Sequence, residues 1–281
     1  VVGEVSVLRP LLAAAGLGLG VATVREPGPR PAGPAEAAAA ASMPARRRLE
    51  FLAGRRAARR ALRAVGLDCG EIPRSGRLPV FPPGRAASIS HSAGIAVAVA
   101  RPPGPDLPLG CDLELRPLPR AAARLVLRED EQELLDDRDE PLGASSRPTG
   151  ADWTVTELFS AKEAAWKALA GPGLARLGEV LDAQHLNAQH GDRLDGPECG
   201  RLGEAQDLHV TGSRGPRRDG PDGRRRARPA RSLRDLRVSP AGDGLCVVRL
   251  RADPARAVRV GVVRVGTGVF SYVLGPSATF G

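Results

Sequence analysis

The stretch Asp152-Trp-Thr-Val-Thr-Glu-Leu-Phe-Ser-Ala-Lys-Glu-Ala-Ala-Trp-Lys-Ala-Leu-Ala170 has helical spacing and is followed by Gly171-Pro172, a pair that ends helices. It holds both tryptophans of the chain, Trp153 and Trp166, and its only two lysines, Lys162 and Lys167. Lys plus Arg number 41, so every other basic residue is arginine. Arginine is a planar, permanently charged fork; lysine is a compact ammonium that can give up its proton. A site that needs a point charge at a phosphate, or a proton donor, resists replacement of lysine by arginine. The segment is therefore read as a helix that carries chemistry, with Trp166 assigned to core packing.

Working outward, Leu109 to Leu115 alternates as a strand: Cys111, Leu113 and Leu115 point one way, Asp112 and Glu114 the other. The two carboxylates leave one face about 6–7 Å apart at the backbone. Such a pair repels itself unless a cation lies between, and hard oxygen ligands suit Mg²⁺; a solvent-facing acidic strand would look the same. Glu163 offers a third carboxylate from the helix, with Lys167 at i+4 on the same face, a spacing that also fits an ordinary helix ion pair.

Ile95, Val97 and Val99 alternate with alanines, as in a buried strand, entered from Ser90-His91-Ser92-Ala93-Gly94. Arg46 to Val65 reads as a helix closed by Gly66, residues 25–45 as a Pro/Ala-rich loop, and Leu11 to Val24 as a first structural element. Ala121 to Leu135 reads as a helix with an acidic second half. Beyond Leu181, short strand-like runs return at Leu245–Leu250, Val258–Val265 and Val269–Leu274. Residues 211–237 are an Arg/Gly/Pro-rich tract, expected to be a flexible loop.

The chain has 281 residues, 42% of them hydrophobic, enough for a proper core; 34 glycines and 26 prolines make it loop-rich. A net charge of +9 calls for an acidic or phosphorylated partner. Nucleic acid is disfavoured, because no aromatic is interleaved in the arginine tract to stack on bases. Four scattered cysteines without a CxxC pair point to a reducing compartment. His185 and His190 are wrongly spaced for a shared metal.

In order and wording, Ser90-His91-Ser92, Gly110-Cys111-Asp112-Leu113-Glu114 and Phe159-Ser-Ala-Lys-Glu-Ala-Ala-Trp-Lys-Ala168 resemble the signature blocks of the 4′-phosphopantetheinyl transferases. Arg48-Leu-Glu-Phe-Leu-Ala-Gly-Arg-Arg-Ala-Ala-Arg59 and Pro79-Val-Phe-Pro-Pro-Gly84 extend the likeness to the Sfp-type group near the enterobactin synthetase component D enzymes. That resemblance implies an α+β fold of two similar α/β halves related by a pseudo-twofold, residues 1–108 and 109–281, with the active site at their interface. It implies Mg²⁺-dependent transfer of phosphopantetheine from coenzyme A to a serine of an apo acyl- or peptidyl-carrier protein, releasing 3′,5′-ADP, by a cytoplasmic monomer.

Carried over by position, Asp112, Glu114 and Glu163 would hold the metal, and Glu163 would serve as base. Lys167 would touch the departing phosphate and protonate it. His91, Ser90 and Arg55 would contact the cofactor, and Glu131 would lie near the site; Lys162, the residue before Glu163, is read as a cofactor contact or a structural partner. The C-terminal third departs from the family's pattern. A metal-dependent nuclease, a basic nucleic-acid-binding protein and a degenerate transferase are the rival expectations.

Overall fold

The computed structural model describes residues 2–27, 30–76, 78–104, 107–135, 153–169 and 232–276. These belong to one of the two units into which the chain divides; the other, residues 176–228, lies outside them, as do His185, His190, Cys199 and most of the arginine tract.

The expected first element, Leu11 to Val24, is two elements. A helix α1 (Val2–Val7) leads to α2 (Arg9–Ala14), which includes Leu11, and then to a strand β1 (Gly18–Thr23). The break falls at Gly16, whose φ of +70° suits a residue without Cβ. Within the expected loop of residues 25–45 lies a helix α3 (Pro34–Ala41): proline is at its first turn, and the alanines after it are the strongest helix formers. Pro/Ala content reads as a linker only when that order is ignored.

The long helix α4 (Ala45–Ala64) follows, then a small hairpin of β2 (Arg74–Ser75) and β3 (Leu78–Pro79). Next come β4 (Ala87–Ser92) and β5 (Ile95–Ala100). Ser90-His91-Ser92 is thus part of a strand, joined to the next by a tight turn at Ala93 and Gly94, both at positive φ.

These strands form a three-stranded antiparallel sheet in the order β1-β5-β4. Its residues divide by size. Leu19, Val21, Val97 and Val99 face one core, while Ala22, Ala96, Ala98 and Ala100 face Ala53, Ala57, Ala58, Ala61 and Leu62 of α4. Small side chains let the helix lie close against the strands: a Cβ added at Gly20 would stand 2.0 Å from the Ala57 carbonyl oxygen.

The second sheet begins with β6 (Cys111–Glu114) and resumes with β7 (Leu236–Gly242), β8 (Leu245–Leu250), β9 (Asp253–Val265) and β10 (Gly268–Pro276), in the order β6-β10-β9-β8-β7. The three expected C-terminal strands are present. The last residues of the expected flexible loop, 233–237, are instead a 3₁₀ turn and the start of β7. Cys111, Leu113, Val265, Phe270 and Tyr272 pack against Leu19, Val21, Val97 and Val99, so the two sheets share one core.

The lysine segment forms a helix α6 (Val155–Leu169) packed on the second sheet. Thr154 and Glu157 cap it reciprocally: Thr154 Oγ1 accepts from the Glu157 amide, and Glu157 Oε2 accepts from the Thr154 amide at 2.9 Å. Trp166 is buried in the core, as expected, and Trp153 is buried as well. Ala121 to Leu135 is not one helix but a short helix α5 (Ala123–Val126) between two 3₁₀ turns. None of the described helices is long and apolar enough to cross a membrane.

Glu26, after β1, accepts from both terminal nitrogens of Arg60 at 2.8 Å and from Arg56 at 2.9 Å, tying the strand end to α4. Those arginine hydrogen bonds, Arg60's above all, hold its carboxyl at about 2 against the ordinary 4.5, despite opposition from burial. A lowered folded-state value means that the stabilisation is present above about pH 4.5 and disappears as pH falls toward 2. The urea-unfolding difference between wild type and Glu26→Gln should therefore shrink from pH 6 to pH 3. An unchanged difference would remove the ion pair from the account.

Candidate active site

Asp112 and Glu114 leave β6 on the face opposite Cys111 and Leu113, as the alternation requires, and both are nearly buried. Helix α6 lies directly over the start of this strand. Gly110 makes that possible, because a Cβ there would stand 1.9 Å from the Ala164 carbonyl oxygen. The approach brings Lys167 Nζ to 2.9 Å from Asp112 Oδ1 and 3.0 Å from the Cys111 carbonyl oxygen. Gly110→Ala should push the helix off the strand, costing about 1–3 kcal/mol by overpacking. A chemical-denaturation midpoint equal to wild type would contradict this.

Burial alone would depress the Lys167 ammonium, but Asp112, Glu163 and Cys111 together outweigh it and hold the group above the ordinary lysine value. Lys167 therefore keeps its proton at neutral pH, and its contribution is a fixed charge.

Asp112 is asymmetric. Oδ1 accepts from Lys167 and, at 2.8 Å, from the Ser90 hydroxyl, whereas Oδ2 is buried with no hydrogen-bond partner among the described residues. A bare, buried carboxylate oxygen is costly unless a cation meets it. Glu114 Oε1 accepts from Ser92 Oγ at 2.9 Å. Glu163 stands one helical turn before Lys167 on α6, half-buried and within its electrostatic reach. Among the described residues no three acidic, histidine or cysteine side chains converge as a metal cluster, so the expected set Asp112, Glu114 and Glu163 is not assembled in advance. The donor chemistry nevertheless fits a hard cation: two carboxylates share one strand face, and one of their oxygens is bare.

Four expected cofactor residues find other surroundings. The Ser90 hydroxyl is spent on Asp112. His91, next along the strand, points to the opposite face, where Arg47 Nη1 donates to its Nε2 at 2.9 Å. Arg55 is buried over the Phe51 ring and donates to the carbonyls of Ile72 (2.8 Å) and Pro73 (3.4 Å); burial lowers its guanidinium to about 10. It fastens the segment after α4 instead of presenting its fork to a ligand.

Lys162 has no solvent exposure. Its Nζ donates to the Val126 carbonyl at 2.9 Å and to Glu131 at 2.8 Å. Burial, opposed by Glu131, brings it down to about 8. Glu131 also accepts from the amides of Val238 and Arg128 and from Arg251. Lys162 and Glu131 thus form a core ion pair that ties α6 to β7 and to the turn after β8.

Sequence reasoning missed Arg47. It is one of a run of three arginines, in a chain where arginine is the default base, and only its distance to His91 distinguishes it. Ser92 also went unassigned, though strand alternation from Ser90 would have placed it on the same face.

Comparison with known families meets this geometry. The 4′-phosphopantetheinyl transferase N-terminal domain matches residues 35–101, from α3 through β5. The 4′-phosphopantetheinyl transferase superfamily model matches residues 108–214, which include β6 and α6. Enterobactin synthase component D of Salmonella typhi is 36% identical over 154 residues, 52% of this chain and 58% of that protein. The chain thus spans less than two thirds of that relative's length. With two consecutive models of one family together matching more than half of it, and Lys167 laid against Asp112 by the fold, the chain belongs to the 4′-phosphopantetheinyl transferase superfamily.

Proposed function

We propose that this protein transfers 4′-phosphopantetheine from coenzyme A to a serine of an apo acyl- or peptidyl-carrier protein, releasing 3′,5′-ADP. The observation that carries the reading is the juxtaposition of Lys167 with Asp112, whose second oxygen is bare, on the strand and helix that the superfamily model spans. The name of the Salmonella relative favours siderophore synthesis among the proposed carrier pathways, which also include other secondary metabolites, fatty acids and polyketides, and the thiols of Cys69 and Cys111 suit the cytoplasm.

The reaction joins the serine oxygen to the β-phosphorus of coenzyme A and breaks the bond from that phosphorus to the oxygen that leaves on 3′,5′-ADP. Phosphoryl transfer needs neutralised charge, in-line positioning and a route for one proton. Asp112, Glu114 and Glu163 would hold Mg²⁺, which supplies charge neutralisation on the pyrophosphate. Lys167 adds a fixed positive charge beside Asp112. Glu163 takes the serine proton, directly or through a water that it orients. Arg47 and His91, both exposed and in contact, offer donors to a phosphate of the cofactor. Lys162 and Glu131 keep α6 in register.

The two sheets support a pseudo-twofold reading with halves 1–108 and 109–281. In each, the first strand pairs with the last, the penultimate strand comes next, and a helix after the first strand packs on the sheet: β1-β5-β4 with α4, and β6-β10-β9 with α6. The site lies where β4 of one meets β6 of the other. No described feature favours a nuclease, in which the lysine would follow its carboxylate along a strand.

The test is incubation with coenzyme A, Mg²⁺ and several apo carrier proteins, read by intact-protein mass spectrometry. Gain of a phosphopantetheinyl group on the carrier serine is expected. No gain on any acyl or peptidyl carrier would sink the reading.

A further inference from the structure

Strands β4 and β6 are edges of different sheets and share no backbone ladder, yet they lie side by side. Three serines two residues apart on β4 bridge them. Ser88 Oγ accepts from the Cys111 amide at 3.0 Å, and the Cys111 thiol donates to the Ser88 carbonyl. Ser90 Oγ donates to Asp112 Oδ1 at 2.8 Å. Ser92 Oγ accepts from the Leu115 amide at 3.1 Å and donates to Glu114 Oε1 at 2.9 Å. Their cross-strand neighbours on this face are Val99, Val97 and Ile95. Apolar side chains would continue that face without polar cost, so the hydroxyls need another reason.

Joining the strands explains Ser88, which meets a backbone amide. It does not explain Ser90 and Ser92, each of which spends its single hydrogen on a carboxylate. At Asp112 the consequence is directional: Ser90 and Lys167 both occupy Oδ1, which fixes the carboxylate plane and leaves Oδ2 buried and bare. At Glu114 the Ser92 hydroxyl holds Oε1 while the Leu115 amide fixes the hydroxyl itself.

We infer that Ser90 and Ser92 are positioning residues, which orient Asp112 and Glu114 as cation ligands before the cation arrives. The inference rests on the metal reading above and assigns Ser90 to the ligand rather than to the cofactor. Hydrogen-bonding partners of metal ligands characteristically set affinity, their loss weakening it by about 10–100-fold.

The full chain, saturated with coenzyme A and without a carrier, is titrated with Mn²⁺, following the free ion by electron paramagnetic resonance against a coenzyme A background. Ser90→Ala and Ser92→Ala should each raise the Mn²⁺ Kd about tenfold or more. Ser90→Thr, which keeps the hydroxyl on a β-compatible side chain, should restore it to within about twofold. Ser88→Ala should lower thermal stability and leave the Kd within about twofold.

If an alanine variant does not fold, Ser90→Cys and Ser92→Cys keep the volume with only a weak donor and should show the same weakening. A Kd at the wild-type value in either serine's folded variants, or failure of the threonine to rescue, overturns the assignment for that serine. Wild-type protein without saturable Mn²⁺ binding would instead overturn the metal reading beneath it.

Discussion

Glu163→Gln should slow phosphopantetheinyl transfer about 10²–10⁴-fold, the range expected for loss of a positioned base, while the fold stays intact. The amide keeps the shape of the side chain and loses its charge. In the proposed mechanism that charge serves twice, accepting the serine proton and completing the carboxylate set with Asp112 and Glu114. Glu163 is only half-buried on α6 and is one of the groups opposing the desolvation of Lys167, so its neutralisation should also let the Lys167 ammonium titrate lower. Single-turnover transfer read by mass spectrometry measures the first effect, and lysine-detected NMR titration measures the second. A variant that transfers within about tenfold of wild type would take Glu163 out of the chemistry.

Glu131→Gln should cost about 3–5 kcal/mol of stability, the range for breaking one side of a buried ion pair. Glu131 and Lys162 have no solvent exposure, and the carboxylate receives donors at both oxygens: the Val238 amide at Oε1, and Arg251, Lys162 and the Arg128 amide at Oε2. Whichever way the glutamine amide turns, its NH₂ meets donors, and the Lys162 ammonium is left buried without its counter-charge. Adding Lys162→Met to Glu131→Gln should recover much of the loss, since a hydrophobic replacement of a buried pair is often tolerated. Urea unfolding of the two single variants and the double variant gives the coupling. A loss below about 1 kcal/mol in Glu131→Gln would mean that water or another group screens the pair.

The two experiments separate roles that lie side by side in the chain. Lys162 and Glu163 are consecutive, and the sequence gives both a charge within the same motif. Helical geometry turns them about 100° apart, so one enters the core beneath α6 and the other shares the helix face of Lys167, whose ammonium meets Asp112. Lys162 as a cofactor contact was a reasonable expectation from charge. What overrides it is burial against Glu131, 31 residues away in the chain, which takes the Lys162 ammonium at 2.8 Å.

What the sequence by itself determined is whatever depends on local period and residue type. The alternation in Leu109–Leu115 put Asp112 and Glu114 on one strand face opposite a buried Cys111 and Leu113. The i, i+4 spacing put Glu163 and Lys167 on one helix face, and the wording of the motifs gave the family. The tertiary structure decided everything that depends on which surfaces meet. It lays α6 on Gly110, where only a hydrogen fits beneath Ala164, and so puts Lys167 on Asp112. It sets β4 beside β6, turning Ser90 and Ser92 toward carboxylates and His91 toward Arg47, and it buries Arg55 and Lys162 among partners far along the chain. Period fixes the direction in which a side chain leaves its own element; only packing fixes what it finds there.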